Sequence, residues 1–143
     1  MGIDLFANSN ISEGCDVILP YRFEAELLYQ QYLQAVDPIA HILHVPSFKC
    51  MFDSFWNNVD EQRPNSGPRT ALVLAMCMCA AASMSSLQTM SHFGVSQESL
   101  YAHLKISCEA AFKRGNSLIS SSIQCLQALT IYLVGSTLDY TQY

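Results

Sequence analysis

One uninterrupted apolar segment, residues 71–82, constrains the fold of this chain more than any other feature. A membrane-spanning helix needs about 20 apolar residues, so the segment is too short to cross a bilayer. A helix over about residues 70–86 would be apolar on every face, which is typical of a helix that its neighbours cover on all sides. The segment therefore predicts the central helix of a bundle, with alanines permitting close packing and methionines filling irregular gaps.

Helical periodicity continues on both sides of the apolar segment. A first helix is predicted over about residues 21–36 and ends at Asp37-Pro38, because proline disfavours a helical residue before it. Residues 39–43 are expected to add one turn, and Pro46 to open a second helix. Ser96 is predicted to cap a helix over residues 97–114, with Gly115 beyond its end. A last helix is predicted over about residues 122–134, followed by Gly135.

The periodicity also predicts which side chains face inward. Two long polar stretches interrupt it: residues 1–18, predicted to be a flexible N-terminal arm, and the loop of residues 60–68. The expected inward positions are Phe23, Leu27, Tyr32 and Val36; Phe48, Phe52, Phe55 and Val59; Leu100, Leu104, Cys108, Ala111 and Phe112; and Ile123, Leu126, Thr130 and Leu133. No strand pattern competes, so we predict an all-α fold: one bundle of five to seven helices, with residues 19–143 as its domain.

Composition limits the classes of function. Half of the residues are hydrophobic and 13% are charged, against roughly 25% in typical globular proteins. Either the core is large or apolar surface is available to a ligand or partner. The net charge is -5 and the basic residues do not cluster, whereas nucleic-acid binding needs clustered lysine and arginine. We therefore expect no direct contact with nucleic acid and none with a membrane.

The cysteine pattern argues against a structural metal. The six cysteines, Cys15, Cys50, Cys77, Cys79, Cys108 and Cys125, form no C-x2-C pair. Cys77 and Cys79 are two residues apart, which places them on different faces of a helix. Without a signal-peptide pattern, we expect an intracellular, cytoplasmic protein with reduced, buried thiols. Neither a metal nor another cofactor is predicted.

Several short motifs follow one another along the chain in a characteristic order. They are Leu19-Pro20-Tyr21-Arg22, Tyr32, Val36-Asp37-Pro38 and residues 42–48, followed by residues 72–86, 101–114 and 122–135. This order resembles the regulatory (middle homology) domain of fungal zinc-cluster transcription factors. The resemblance implies a helical, effector-responsive regulatory domain. Two departures are Val45, where the family usually has arginine, and the stop at Tyr143, where the family's domain continues. The zinc-cluster DNA-binding module is also absent from these residues, which predicts a truncated relative.

Candidate chemistry centres on Asp37, His41 and His44, whose spacings of four and three residues would place them on one face of a continuous helix. Asp37 could orient a histidine that acts as general base, or the three could hold a metal; a structural role for His44 is the alternative. His103 lies beside the inward stripe and is either a substrate contact or a structural histidine. We select His44, His103 and Asp37 as candidate catalytic residues. Candidate substrate-binding residues are Tyr32, His41, Phe52, Trp56, Met76, Tyr101 and Tyr132.

Three functional hypotheses remain. The sequence contains no nucleophile elbow, phosphate loop or dinucleotide fingerprint. The favoured hypothesis is a repurposed protein of secondary metabolism that binds an apolar small molecule in a helical cavity. It would catalyse a cofactor-free cyclisation or rearrangement, such as an intramolecular cycloaddition, by preorganising the substrate. The alternative is a truncated, nuclear regulator that dimerises with or titrates a full-length zinc-cluster factor. The third is a non-functional gene fragment. A homodimer is expected for either functional protein.

Overall fold

The structure, a computed structural model, describes residues 6–7, 18–38, 41–114 and 123–141. Within these residues the chain forms six α-helices, one π-helical segment and one pair of two-residue strands, which confirms the predicted all-α fold. The elements are β1 (Phe6–Ala7), β2 (Leu19–Pro20), α1 (Arg22–Gln31), the π segment (Tyr32–Val36), α2 (Val45–Asp60), α3 (Gly67–Ala82), α4 (Ser86–Phe93), α5 (Gln97–Arg114) and α6 (Ile123–Thr141). The strands pair antiparallel, with Phe6 opposite Pro20.

Helix α3 is the predicted central helix. Every residue from Ala71 to Ala82 is buried, because α3 packs chiefly against α5 and α6 and also against α1. Helix α6 comes closest at Gly135, where an added Cβ atom would lie 2.6 Å from Met78 Cε and 3.2 Å from Cys79 Cα. Gly135 was predicted to follow the last helix, but α6 continues through it to Thr141. This position needs a residue without a side chain because α3 packs closely against it.

Helices α2 and α5 agree with the predicted patterns. Phe48, Phe52 and Phe55 of α2 are buried, and its first turn contains Pro46. The predicted inward residues of α5 are all buried. Its N-terminus is capped as expected, since Ser96 Oγ accepts a hydrogen bond of 3.1 Å from the Ser99 N–H. Gly115, predicted to follow α5, lies outside the described residues.

The inward face of α1 was predicted wrongly. Phe23 is 61% exposed and Leu27 is 41% exposed, whereas Ala25, Leu28 and Tyr29 are buried. Tyr32 and Val36 are buried as predicted. A helical stripe that ends at Tyr32 must pass through positions 28 and 29 one turn earlier, and Leu27 lies about 100° away from Leu28 around the helix.

The inward face of α6 was also predicted wrongly. Leu126 is 53% exposed, Leu133 is 61% exposed and Thr130 is exposed, while Ala128, Ile131 and Gly135 are buried. Small residues line the contact with α3 because they allow the two backbones to approach, and the leucines point away. The side chain of Ile123 lies outside the described residues.

Two further differences concern connections. Residues 41–43 do not form the extra turn that was predicted, because His44 is extended (φ -81°, ψ 104°) and begins α2 as its N-cap. Residues 39–40 lie outside the described part.

Helix α4 was not predicted. It begins with a reciprocal capping box, in which Ser85 Oγ accepts from the Gln88 N–H and Gln88 Oε1 accepts from the Ser85 N–H. Gly94 ends it in the left-handed conformation, φ +74°.

Candidate functional site

The predicted Asp37, His41 and His44 group is divided between two local contacts. Asp37 Oδ2 lies 3.6 Å from His41 Nδ1, and the His41 side chain is 73% exposed. His44 is exposed at the start of α2, where its Nδ1 and Ser47 Oγ share a hydrogen bond of 2.7 Å. The continuous helix that would have aligned all three ends at the π segment. Among the described residues, no group of three His, Cys, Asp or Glu side chains could hold a metal ion.

Other predicted site residues lie on the α5–α6 side of α3 or inside α3 itself. His103 is exposed on α5, and Met76 is completely buried in α3. Tyr101 of α5 is buried, with Lys105 Nζ 5.9 Å from its ring centroid. Tyr132 of α6 donates a hydrogen bond to Glu109 Oε2. Burial raises the pKa of Tyr132, and the hydrogen bond to Glu109 raises it further.

A separate aromatic cluster, defined here as Tyr29, Phe48, Phe52 and Trp56, fills the space between α1 and α2. Phe48, Phe52 and Trp56 recur every four residues and therefore share one face of α2. The Tyr29 ring of α1 lies 5.4 Å from Phe48 and 5.2 Å from Phe52 between centroids. Phe52 and Trp56 meet edge to face at 6.3 Å. The cluster brings together Phe52 and Trp56, two of the predicted substrate-binding residues.

Beside the aromatic cluster, the π segment places polar atoms in the core. The Asp37 N–H donates to Tyr32 O at 2.9 Å, which closes the wide turn typical of a π-helix. Tyr32 is completely buried, and its hydroxyl has no hydrogen-bond partner among the described residues. The same holds for Asp37 Oδ1 and Trp56 Nε1. Such π turns are frequent at functional sites, and buried polar atoms without partners are uncommon.

The surroundings of Tyr32 include two residues that the sequence analysis did not select. One is Cys79, because Cys79 and Asp37 both raise the pKa of Tyr32 in addition to the larger effect of burial. The other is Tyr29, whose own pKa is raised chiefly by burial and also by Asp37. Tyr29 could have been found from its place one turn before Tyr32. Cys79 had no signal in the sequence beyond its position in the apolar segment.

No helix of the described part of the chain is long and apolar enough to cross a membrane.

Comparison with known proteins identifies a matching family and several similar proteins. Residues 29–141 match the family model of the fungal specific transcription factor domain. Over 136 residues the chain is 32% identical to the C6 finger domain transcription factor nscR of Arthroderma otae, covering 92% of this chain and 19% of that protein.

Two further relatives are similar. The transcription factor vrtR2 of Penicillium aethiopicum is 34% identical over 131 residues, covering 91% of this chain and 16% of that protein. The aurofusarin cluster transcription factor aurR2 of Gibberella zeae is 30% identical over 133 residues, covering 92% and 19%. This chain thus spans about a fifth of the length of the curated relatives that it matches. No solved structure matches it.

Proposed function

Since the chain belongs to the fungal specific transcription factor domain family, we propose that it is a regulatory segment of a transcriptional regulator. The match over residues 29–141 is the observation that carries this proposal. It is supported by relatives at 30–34% identity that are named transcription factors. The family membership favours the regulator alternative over the cyclisation hypothesis.

The cyclisation hypothesis gains no support from the arrangement of its candidate residues. His44 contacts Ser47 at the start of α2, and Asp37 lies beside the exposed His41. Preorganised catalysis would need such groups to converge on one substrate position. Cyclisation therefore stays a prediction that these observations do not test.

We propose that the regulator works by contact with another protein chain. These residues contain no C-x2-C pair and carry a net charge of -5, so we do not expect them to contact DNA themselves. Exposed apolar side chains offer a surface for that partner, namely Phe23 and Leu27 on α1, Leu87 and Met90 on α4, and Leu126 and Leu133 on α6. Such a regulator would act in the nucleus.

Co-expression with a full-length C6 finger transcription factor from the same genome tests this proposal. We expect the factor to co-purify with this chain, and its reporter output to change severalfold when the chain is present. A Leu126→Gln/Leu133→Gln variant tests whether α6 supplies the contact, and a chemically matched Leu87→Gln/Met90→Gln variant tests α4 in the same way. An unchanged reporter together with no co-purification would overturn the proposal. Turnover of a metabolite by the purified chain alone would return the cyclisation hypothesis to first place.

A further inference from the structure

The outer face of α6, defined here as Leu126, Thr130, Leu133 and Thr137, is exposed although it carries no charge. Leu126 is 53% exposed, Leu133 is 61% exposed, and both threonines are exposed as well. Spacings of four, three and four residues keep these side chains on one side of the helix over about 17 Å. The opposite side of α6 packs against α3. A helix that is uncharged on both sides is typical of one that is covered on both sides.

The two threonine hydroxyl groups of this outer face already have hydrogen-bond partners within α6. Thr130 Oγ1 donates to Leu126 O at 2.8 Å, and Thr137 Oγ1 donates to Leu133 O at 3.0 Å. Both donors would stay satisfied if another surface excluded water from the face. Covering the outer face of α6 would therefore remove apolar area from water without leaving a hydroxyl donor unpaired.

The charge distribution favours a second copy of this chain as the molecule that covers the outer face. The chain carries a net charge of -5, so two copies repel each other over much of their surfaces. Asp139 is the only charged residue among the 19 of α6, so two acidic copies can meet here without like charges in contact. Flanking charges usually select a different partner for a helix, and α6 lacks them. By contrast, Phe23 and Leu27 of α1 share their helix with the Arg22–Glu26 ion pair.

We propose that two copies of this chain pair through the outer faces of their α6 helices in antiparallel orientation. Leucine and threonine alternate along the face, so an antiparallel copy places each leucine opposite a threonine. Leu126 then meets the partner's Thr137, and Leu133 meets the partner's Thr130. A parallel copy would place threonine opposite threonine and leave unfilled space between them. Each antiparallel contact occurs twice, as the two-fold symmetry of a homodimer requires.

The size of this contact predicts a reversible dimer. One pair of helices is expected to bury less than the roughly 1,600 Å² of a standard protein–protein interface, which corresponds to a Kd of about 1–100 µM. The concentration of the chain therefore sets the fraction of dimer. A factor that binds α6 would compete with the second copy, and this consequence rests on the regulatory function proposed above. The pairing of two copies does not.

Sedimentation equilibrium of the purified 143-residue chain over a range of concentrations tests the dimer. We expect Leu126→Gln/Leu133→Gln to weaken self-association at least about tenfold, because it removes two apolar side chains from the contact. Leu87→Gln/Met90→Gln makes the same kind of change at exposed positions of α4 and should leave the Kd unchanged. Thermal unfolding followed by circular dichroism shows whether each variant keeps its fold.

A pair of charged variants tests the antiparallel orientation. Thr130→Glu and Leu133→Lys each place a charge opposite an uncharged side chain in their own dimers, so each should weaken self-association at least about tenfold. When the two variants are mixed, the introduced carboxylate and ammonium groups face each other across the contact. We therefore expect the mixed dimer to be at least about tenfold tighter than the dimer of either variant alone. A parallel arrangement would not bring the two groups together.

Three results would overturn the proposal. The first is a chain that stays monomeric up to about 1 mM. The second is a dimer that Leu126→Gln/Leu133→Gln leaves intact or that Leu87→Gln/Met90→Gln weakens equally. The third is a mixture of Thr130→Glu and Leu133→Lys that associates no more tightly than each variant alone. Since the measurement uses this chain alone, its failure leaves the co-expression experiment unaffected, and failure to capture a factor leaves the dimer unaffected.

Discussion

Two tyrosine hydroxyl groups, one in the π segment and one in α6, show how differently the same chemical group is used. Tyr132 donates to Glu109 at the contact between α5 and α6. Tyr32 is completely buried and its hydroxyl has no partner among the described residues. A hydrogen bond contributes about 1 kcal/mol net, whereas an unsatisfied buried group costs about 1–3 kcal/mol. The two hydroxyl groups should therefore affect stability with opposite signs.

We expect Tyr32→Phe to raise the free energy of unfolding by about 1 kcal/mol, since it removes a buried group without a partner and keeps the ring. Tyr132→Phe should lower it by about 1 kcal/mol, since it removes the hydrogen bond to Glu109. Urea unfolding of both variants measures these changes. Destabilisation by Tyr32→Phe would mean that a bound water or ligand already satisfies the hydroxyl in solution.

Glu24 is a second residue whose burial has a measurable consequence. It is 7% exposed, and burial raises its pKa from 4.5 to about 7, although the hydrogen bond from the Tyr21 N–H opposes this. The folded pKa is above the unfolded one, so folding takes up a proton at Glu24 between these values. Its contribution to stability is near zero below pH 4.5, becomes unfavourable as the pH rises towards 7, and is fully unfavourable above pH 7.

Glu24→Gln should therefore stabilise the protein above pH 7 by on the order of 2 kcal/mol and have little effect at pH 4. Glutamine keeps an oxygen that can accept from the Tyr21 N–H, so the cap of α1 is preserved. Urea unfolding of both proteins at several pH values measures the difference. A stabilisation that does not change with pH would contradict a raised pKa for Glu24.

At the scale of elements, α6 shows why residue size can mislead a prediction of helix orientation. Its large leucines were predicted to face inward, yet Ala128, Ile131 and Gly135 face α3. Apolar residues occur around most of this helix, so hydrophobicity alone does not select a face. The shape of α3 selects it, because the closest approach of two helices requires small residues.

The orientation of α6 predicts contrasting effects of truncation. Ile131→Ala should lower the free energy of unfolding by about 2–4 kcal/mol, because it leaves a cavity against α3. Leu133→Ala, on the exposed face of the same helix, should change it by less than about 0.5 kcal/mol. Urea unfolding measures both variants. A larger loss for Leu133→Ala would favour the orientation first predicted, or a partner that covers this face.

The contact at Gly135 should tolerate little added volume. Gly135→Val should destabilise the protein by about 2 kcal/mol or more, since the new side chain would meet the backbone at Cys79 as well as the mobile end of Met78. Thr137→Val, on the exposed surface two residues later, is the control, because it places the same side chain on α6 where no neighbouring helix is in contact. Thermal unfolding compares the two. Equal stability of both variants would mean that α6 moves away from α3 at no cost.

Local signals explain which helices could be predicted. The bounds of α5 follow from Ser96 as its cap and from one periodic stripe, and α2 follows from Pro46 and four regularly spaced apolar residues. Helix α4 was missed even though Ser85 and Gln88 form a capping box, because its eight residues include few apolar ones. The π segment has no sequence signal that distinguishes it from an α-helix.

At the scale of the whole molecule, α3 organises the structure. It contacts α1, α5 and α6, and its residues from Ala71 to Ala82 are all buried. Helices α1, α5 and α6 each pack against α3, so opening any one of these three leaves the contacts of α3 with the other two in place. Exposing α3 requires several helices to separate together, which amounts to global unfolding.

Hydrogen exchange should reveal this organisation. We expect the backbone amides of residues 71–82 to exchange most slowly, with a free energy of opening equal to that of global unfolding. The amides of α4 should exchange much faster, because α4 is short and packs chiefly against α5. Mass spectrometry of peptides after exchange measures both regions. Faster exchange in α3 than in α5 would contradict a central role for α3.

Some of the predicted site residues lie close together in the structure, and others lie apart. Tyr32, Phe52, Trp56 and Asp37 were selected from their chemistry and expected inward direction, and they lie in or beside the aromatic cluster and the π segment. His44, His103, Met76, Tyr101 and Tyr132 lie elsewhere, on α2, α5, α3 and α6. Spacing along one helix predicts neighbours only while the helix continues, and residues on different helices become neighbours only through packing.

The sequence by itself determined the helical class, the central helix, the family and the bounds of α2 and α5, because periodicity, caps and apolar runs act over a few residues. Only the tertiary structure decided which faces of α1 and α6 are buried, that α6 continues through Gly135, and that the Tyr32 hydroxyl and Asp37 Oδ1 are buried without partners among the described residues. These features depend on how closely two helices can approach and on which polar atoms then lose water. Both depend on the shape of the neighbouring helix, which local sequence does not contain.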